Sequence, residues 1–71
     1  MTYDELTYDQ KNMVAGAYLC RLADEGVYAE VMGVDWDAPS WGEMGNALEL
    51  VPDDVMRREY GDVIFTEDDF F

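Results

Sequence analysis

The stretch that most constrains this chain is residues 13–23, Met-Val-Ala-Gly-Ala-Tyr-Leu-Cys-Arg-Leu-Ala. It is the longest nearly uncharged run and lies inside a helix frame. Thr7 and Gln10 fit a capping box ahead of it. Asp9 is favourable near the positive helix end, and Gly26 supplies a left-handed stop. The spacing predicts a helix over residues 8–25. Val14, Tyr18 and Leu22 recur at i, i+4 and i+8, and Ala15 and Leu19 widen that stripe. Met13, Ala17 and Cys20 fall on the other side, so the middle of the helix is apolar nearly all round and is expected to pack on several sides. Gly16 costs about 1 kcal/mol against Ala in a helix interior, which calls for close approach by another segment.

The remaining elements are short. Thr2 with Glu5 forms an earlier box that starts one isolated turn. Residues 27–34 read as a short helix, although Val27, Val31 and Val34 also suit a strand. Residues 35–40 form a loop. Ser40 with Glu43 is a third box, and Trp41, Met44, Leu48 and Val51 then make a helical stripe over residues 41–50. Gly42 and Gly45 would let that helix press on the first. Pro52 breaks it and begins another, in which Asp53 and Asp54 stand four residues ahead of Arg57 and Arg58, a favourable acid-first order. Met56 and Tyr60 face the core, and Gly61 stops the helix. Residues 63–65 dock as an extended segment, residues 66–69 cap a last turn, and Phe70 and Phe71 pack on the domain or on a partner. The expected fold class is all-α, one small domain over residues 1–71 with three or four short helices around a central one. The alternative is α+β, with residues 27–34 and 63–65 paired as strands.

A chain of 71 residues gives a marginal core, because apolar burial and chain entropy nearly cancel below about 70–80 residues. Cys20 is the one cysteine and reads as a buried thiol in a reducing compartment. There is no His to activate it. Met1 is followed by Thr2, Tyr3, Asp4 and Glu5 rather than by a basic and then apolar region, so no signal peptide is expected. The apolar run is too short to span a bilayer. A soluble, cytoplasmic protein without membrane contact is expected, inside the host cell if phage-encoded.

Charge narrows function. Seventeen Asp and Glu face Lys11, Arg21, Arg57 and Arg58, for a net charge of −13. A sphere of this chain length is roughly 28 Å across. Duplex DNA carries one charge per ~1.7 Å of axis, so the net charge matches roughly 22 Å of duplex. The same balance argues against direct binding of nucleic acid or an anionic membrane through a basic patch. Catalytic motifs are missing from the sequence. A calcium loop starting at Asp35 would place Pro39, Ser40 and Asn46 where an oxygen ligand, a glycine and a glutamate are needed. Glu67, Asp68 and Asp69 are a looser carboxylate run. No zinc cluster, phosphate loop or nucleophilic triad is present. Neither an enzyme nor a cofactor is expected.

The informative carboxylates are those without a local structural reason. Asp4, Glu5, Asp9, Asp53 and Asp54 sit at helix starts. Asp24 and Glu25 sit at a helix C-terminus, where the dipole opposes them by about 0.3–1 kcal/mol. Glu59 and Asp62 flank another helix end, and Asp35, Asp37, Glu67, Asp68 and Asp69 crowd loops. Aromatics stand beside acids at Tyr28 with Glu30, at Trp36 between Asp35 and Asp37, and from Phe65 onward, a pattern of anchors ringed by steering charge. The expected partner-binding set is Asp24, Glu25, Glu30, Asp35, Trp36, Asp37, Glu59, Asp62, Glu67, Asp68 and Asp69.

In size, charge and aromatic content the chain resembles small acidic inhibitors from phages and mobile elements, of the anti-CRISPR and anti-restriction kind. That resemblance implies a nucleic-acid mimic that blocks the basic groove of a nucleic-acid-binding protein. It brings no functional residue with it. The alternative is an interaction module such as an antitoxin or adaptor, held by its aromatic and Met surface. A third reading is an ordinary domain from a salt-loving organism. A homodimer burying the tail is a further expectation, against charge repulsion.

Overall fold

Thr7 opens the central helix from both sides of its capping box. Its hydroxyl accepts from the Gln10 amide at 3.2 Å, and its own amide donates to the Gln10 side chain at 2.9 Å. In the computed structural model, which describes residues 1–70, helix α1 then runs Tyr8–Asp24. It is followed by α2 (Tyr28–Met32), α3 (Trp41–Gly45), α4 (Ala47–Leu50) and α5 (Asp53–Tyr60), with 3₁₀ turns at Tyr3–Glu5 and Glu67–Phe70. The chain is all-α, and no strand occurs among the described residues. Within residues 27–34 the helix covers Tyr28–Met32, and residues 63–65 join no sheet. Phe65 instead exchanges backbone hydrogen bonds with Met1, both at 2.7 Å. Phe71 lies outside the described residues.

Gly26 ends α1 at φ 73°. The Gly26 amide donates to the Ala23 carbonyl and the Val27 amide to that of Leu22, at 3.1 and 3.0 Å, a Schellman closure that only a residue tolerant of positive φ makes cheaply. The predicted stripe is the buried one: Val14, Ala15, Tyr18, Leu19 and Leu22 all lie in the core, with Tyr3, Leu6, Tyr28, Ala47, Val51, Met56 and Phe65. Helix α4 packs most extensively on α1. Gly16 is approached as expected, since a Cβ there would stand 3.2 Å from the Met44 methyl.

The other face of α1 departs from expectation. Met13, Ala17 and Cys20 are exposed rather than packed. Cys20 is therefore not a buried thiol. It lies on the surface 3.8 Å from the Met44 sulfur. Periodicity identified this face as apolar but carried no information on whether another segment covers it.

Residues 41–50 do not form one helix. Asn12 of α1 inserts its amide into the backbone ladder between α3 and α4. Its Nδ2 donates to the Gly45 carbonyl at 3.2 Å, and its Oδ1 accepts from the Leu48 amide at 2.9 Å. A side chain taking both partners breaks the i to i−4 pattern, the usual cause of a sharp helix break. Trp41 consequently leaves the expected stripe and is 94% exposed. Gly42 and Gly45 do not serve a close helix–helix approach: both are exposed, and a Cβ on Gly45 would meet nothing within 4 Å. Asn12→Ala is expected to cost about 1–3 kcal/mol, the range for a lost hydrogen bond that strands its partner. Urea denaturation reads the loss, and Asn12→Asp, which keeps the acceptor, should recover part of it.

Candidate acidic partner surface

Glu43, the last member of the Ser40 box, organises the loop that carries several of the predicted site residues. Its Oε1 accepts from the Ser40 amide and from the Trp36 indole N–H, both at 3.0 Å. Its Oε2 accepts from the Tyr28 hydroxyl at 2.7 Å. The Ser40 hydroxyl in turn accepts from the Glu43 amide at 3.2 Å. The Ser40 backbone amide, then the Tyr28 hydroxyl, push the Glu43 carboxyl down to about 2. Burial, then the hydrogen bond to Glu43, push the Tyr28 phenol up to about 12. This knot ties α2, the loop and α3 together. Trp36, half exposed, is held by its indole, with exposed Asp35 and Asp37 on either side.

Three of the four cations find partners within the fold; Arg58 is exposed and forms no ion pair among the described residues. Lys11 lies over the Tyr3 ring at 5.3 Å. The Arg21 guanidinium lies 5.0 Å from the Tyr18 ring and 5.9 Å from that of Tyr60, and pairs with Glu59 at 3.2 Å. Arg57 pairs with Asp4 at 3.1 Å. The expected ion pairs of Asp53 and Asp54 with Arg57 and Arg58 are not formed within 4 Å. The Tyr3–Glu5 turn instead brings Asp4, distant in sequence, to Arg57.

Among the predicted site residues, Asp24, Glu25, Glu30, Asp35, Asp37, Asp62, Glu67 and Asp68 are all exposed. No ion pair or side-chain hydrogen bond engages any of them among the described residues. Glu59 and Asp69 differ. Glu59 of α5 pairs with Arg21 of α1, and Asp69 caps the last turn by accepting from the Thr66 amide at 2.7 Å. The work of Glu59 was not legible in the sequence, whereas that of Asp69 is the expected cap of a last turn over residues 66–69.

The set falls into two groups. Asp24 lines an open groove with Cys20, Ala38, Pro39, Trp41 and Met44, so the end of α1 meets the loop that follows Asp37. Glu25 and Glu59 both act on the Arg21 charge. The tail group, represented by Asp69, borders a second groove lined by Met13, Val14, Ala17, Tyr60, Ile64, Phe65 and Phe70. Glu30 stands on the exposed side of α2, tied to neither. Tyr28 and Phe65, read as anchors beside acids, are core residues. The exposed Trp41 and Ile64 were missed as site residues; nothing local in the sequence distinguishes them from core positions. No cluster of three or more His, Cys, Asp or Glu suited to a metal ion occurs among the described residues, so the run at 67–69 does not converge on a cation. No helix among them is long and apolar enough to cross a membrane.

No protein-family model, curated protein or solved structure matches this chain.

The Glu43 knot has a pH signature. Its carboxyl is depressed from 4.5 to about 2, so its contribution to stability is fully present above about 4.5 and is lost as pH falls towards about 2. Glu43→Gln should therefore be less stable than the native chain at neutral pH, with the gap closing across that acid window. Denaturation at stepped pH measures it, and a gap that stays constant would show the carboxylate to be uninvolved.

Proposed function

We propose that this protein is an inhibitor that mimics nucleic acid and occupies the basic groove of a nucleic-acid-handling protein such as a CRISPR effector or a restriction enzyme. One observation carries the reading. The cations Lys11, Arg21 and Arg57 are held against rings or acids of the fold, while the carboxylates at Asp24, Glu25, Asp35, Asp37, Asp62, Glu67 and Asp68 stand exposed without such partners. Carboxylates left in this way are free to take Lys and Arg from another molecule, as phosphates do. The net charge of −13 over a longest dimension of 35 Å is one charge per about 2.7 Å. That is sparser than duplex DNA at ~1.7 Å per charge, but of the same order.

The second reading, an interaction module using an aromatic and Met surface, is favoured by the exposure of Trp41, Ile64 and Met13.

Binding to such a target should weaken steeply with added salt, and duplex DNA or RNA should displace the protein. The combined variant Asp24→Asn, Glu25→Gln, Asp35→Asn and Asp37→Asn should lose about tenfold or more in affinity, chiefly through slower association, because peripheral charges govern encounter. Surface plasmon resonance at graded ionic strength measures both. A complex in which the target still binds its nucleic acid in full would exclude mimicry.

A further inference from the structure

Met13, Ala17, Cys20 and Asp24 recur at i, i+4, i+7 and i+11, on one face of α1. That face is about 16 Å long and is exposed throughout. Each of the two open grooves takes part of it as floor, one over Cys20 and Asp24 and the other over Met13 and Ala17. On one side stand Pro39, Trp41 and Met44; on the other stand Val63, Ile64 and Phe70. Ala17 and Cys20 are small, so the floor is low between bulky walls. The two grooves follow one another along this face as an apolar trough, with Trp41 94% and Ile64 69% exposed at its walls. A contiguous apolar surface of this kind on a highly charged chain marks a binding site rather than scattered exposure.

We propose that this trough docks an amphipathic helix of a partner protein, whose apolar stripe is flanked by lysine and arginine. The floor is itself a helix with small residues at helical spacing, the shape into which the side-chain ridges of a second helix fit. Charge selects the occupant. Asp24 closes one end of the trough and Asp69 lines its tail side, with Glu67 and Asp68 exposed beside it. Arg21, the cation on this side of α1, is already paired with Glu59. A second copy would bring a net charge of −13 against −13, and an anionic lipid surface would be repelled in the same way. A helix with basic flanks gains from both the floor and the rim. This contact does not depend on whether the partner binds nucleic acid.

The test uses the full chain and two synthetic peptides of about 14 residues, long enough to span the trough as helix. One carries Leu at i, i+3, i+4 and i+7 with Lys on the flanks. The other has the same composition, shuffled to destroy the stripe. Calorimetry should show the striped peptide binding at least about tenfold more tightly than the shuffled one. Ala17→Glu, which fills the floor while adding negative charge, should weaken the striped peptide about tenfold, whereas attraction by charge alone would strengthen it. Ile64→Ser lowers a wall without adding charge and should also weaken binding, which covers the case in which the first variant does not fold. Equal binding of the two peptides, no binding of either, indifference to both substitutions, or a dimer in sedimentation that Ala17→Glu abolishes would each overturn the proposal. Mimicry is read separately, by nucleic-acid competition and by Glu25→Gln, Asp35→Asn and Asp37→Asn without the Asp24 change, none of which touches the floor, walls or rim of the trough.

Discussion

Burial of a single face of α1 has to hold together a chain whose charges oppose compaction. With a net charge of −13, self-repulsion works against every folded arrangement, and the stripe from Val14 to Leu22 is the surface on which Tyr3, Tyr28, Met56 and Phe65 can gather. The few cations reinforce that burial. Arg21 spans the rings of Tyr18 and Tyr60, and Lys11 covers Tyr3. The carboxylates that do serve the fold mostly accept from backbone N–H groups. Glu5 takes the Thr2 amide, Glu43 that of Ser40, and Asp69 that of Thr66. An acid satisfied by an amide needs no counter-ion, which lets so anionic a sequence form helix ends without more lysine and arginine.

What was legible in the sequence was local. The capping boxes at Thr7, Ser40 and Thr2, the glycine stop at Gly26 and the buried stripe of α1 depend on residues within two turns of each other, and each is found where the spacing put it. What was hidden came from contacts across the chain. The break between α3 and α4 is made by Asn12, 33 to 36 residues away. Arg57 turns to Asp4, 53 residues away, instead of the acids one turn back. Glu43 was readable as a cap, but its bonds to Tyr28 and Trp36 were not. The site suffered in the same way. Nothing local separates Glu59, which pairs with Arg21, from Asp24 or Asp68, which have no such pair, whereas Asp69 was readable as the cap of the last turn. The apolar outer face of α1 looked like core because a hydrophobic period reports composition and not coverage.

The acidic surface and the trough divide the tasks of recognition. Exposed carboxylates reach beyond contact distance, speed the approach of a cationic partner and weaken with salt. Apolar walls act only at contact and resist salt, and buried aromatic anchors usually contribute most of what holds a complex once formed. Trp36 sits between these roles. Its indole N–H is fixed by Glu43 while half of its surface faces solvent between two aspartates, so a partner meeting it finds an aromatic already oriented, with little entropy left to lose.

The junction of Met1 with Phe65 joins residues 64 apart in sequence. Closing a loop of that length has an entropic cost that must be met before the contact gives anything back. The tail meets α1 through Phe65 and Phe70 and is tied to Met1 by a pair of backbone bonds, whereas α4 packs directly on α1. The tail forms one bank of the α1 channel, so the width of that channel depends on the Met1–Phe65 junction staying closed.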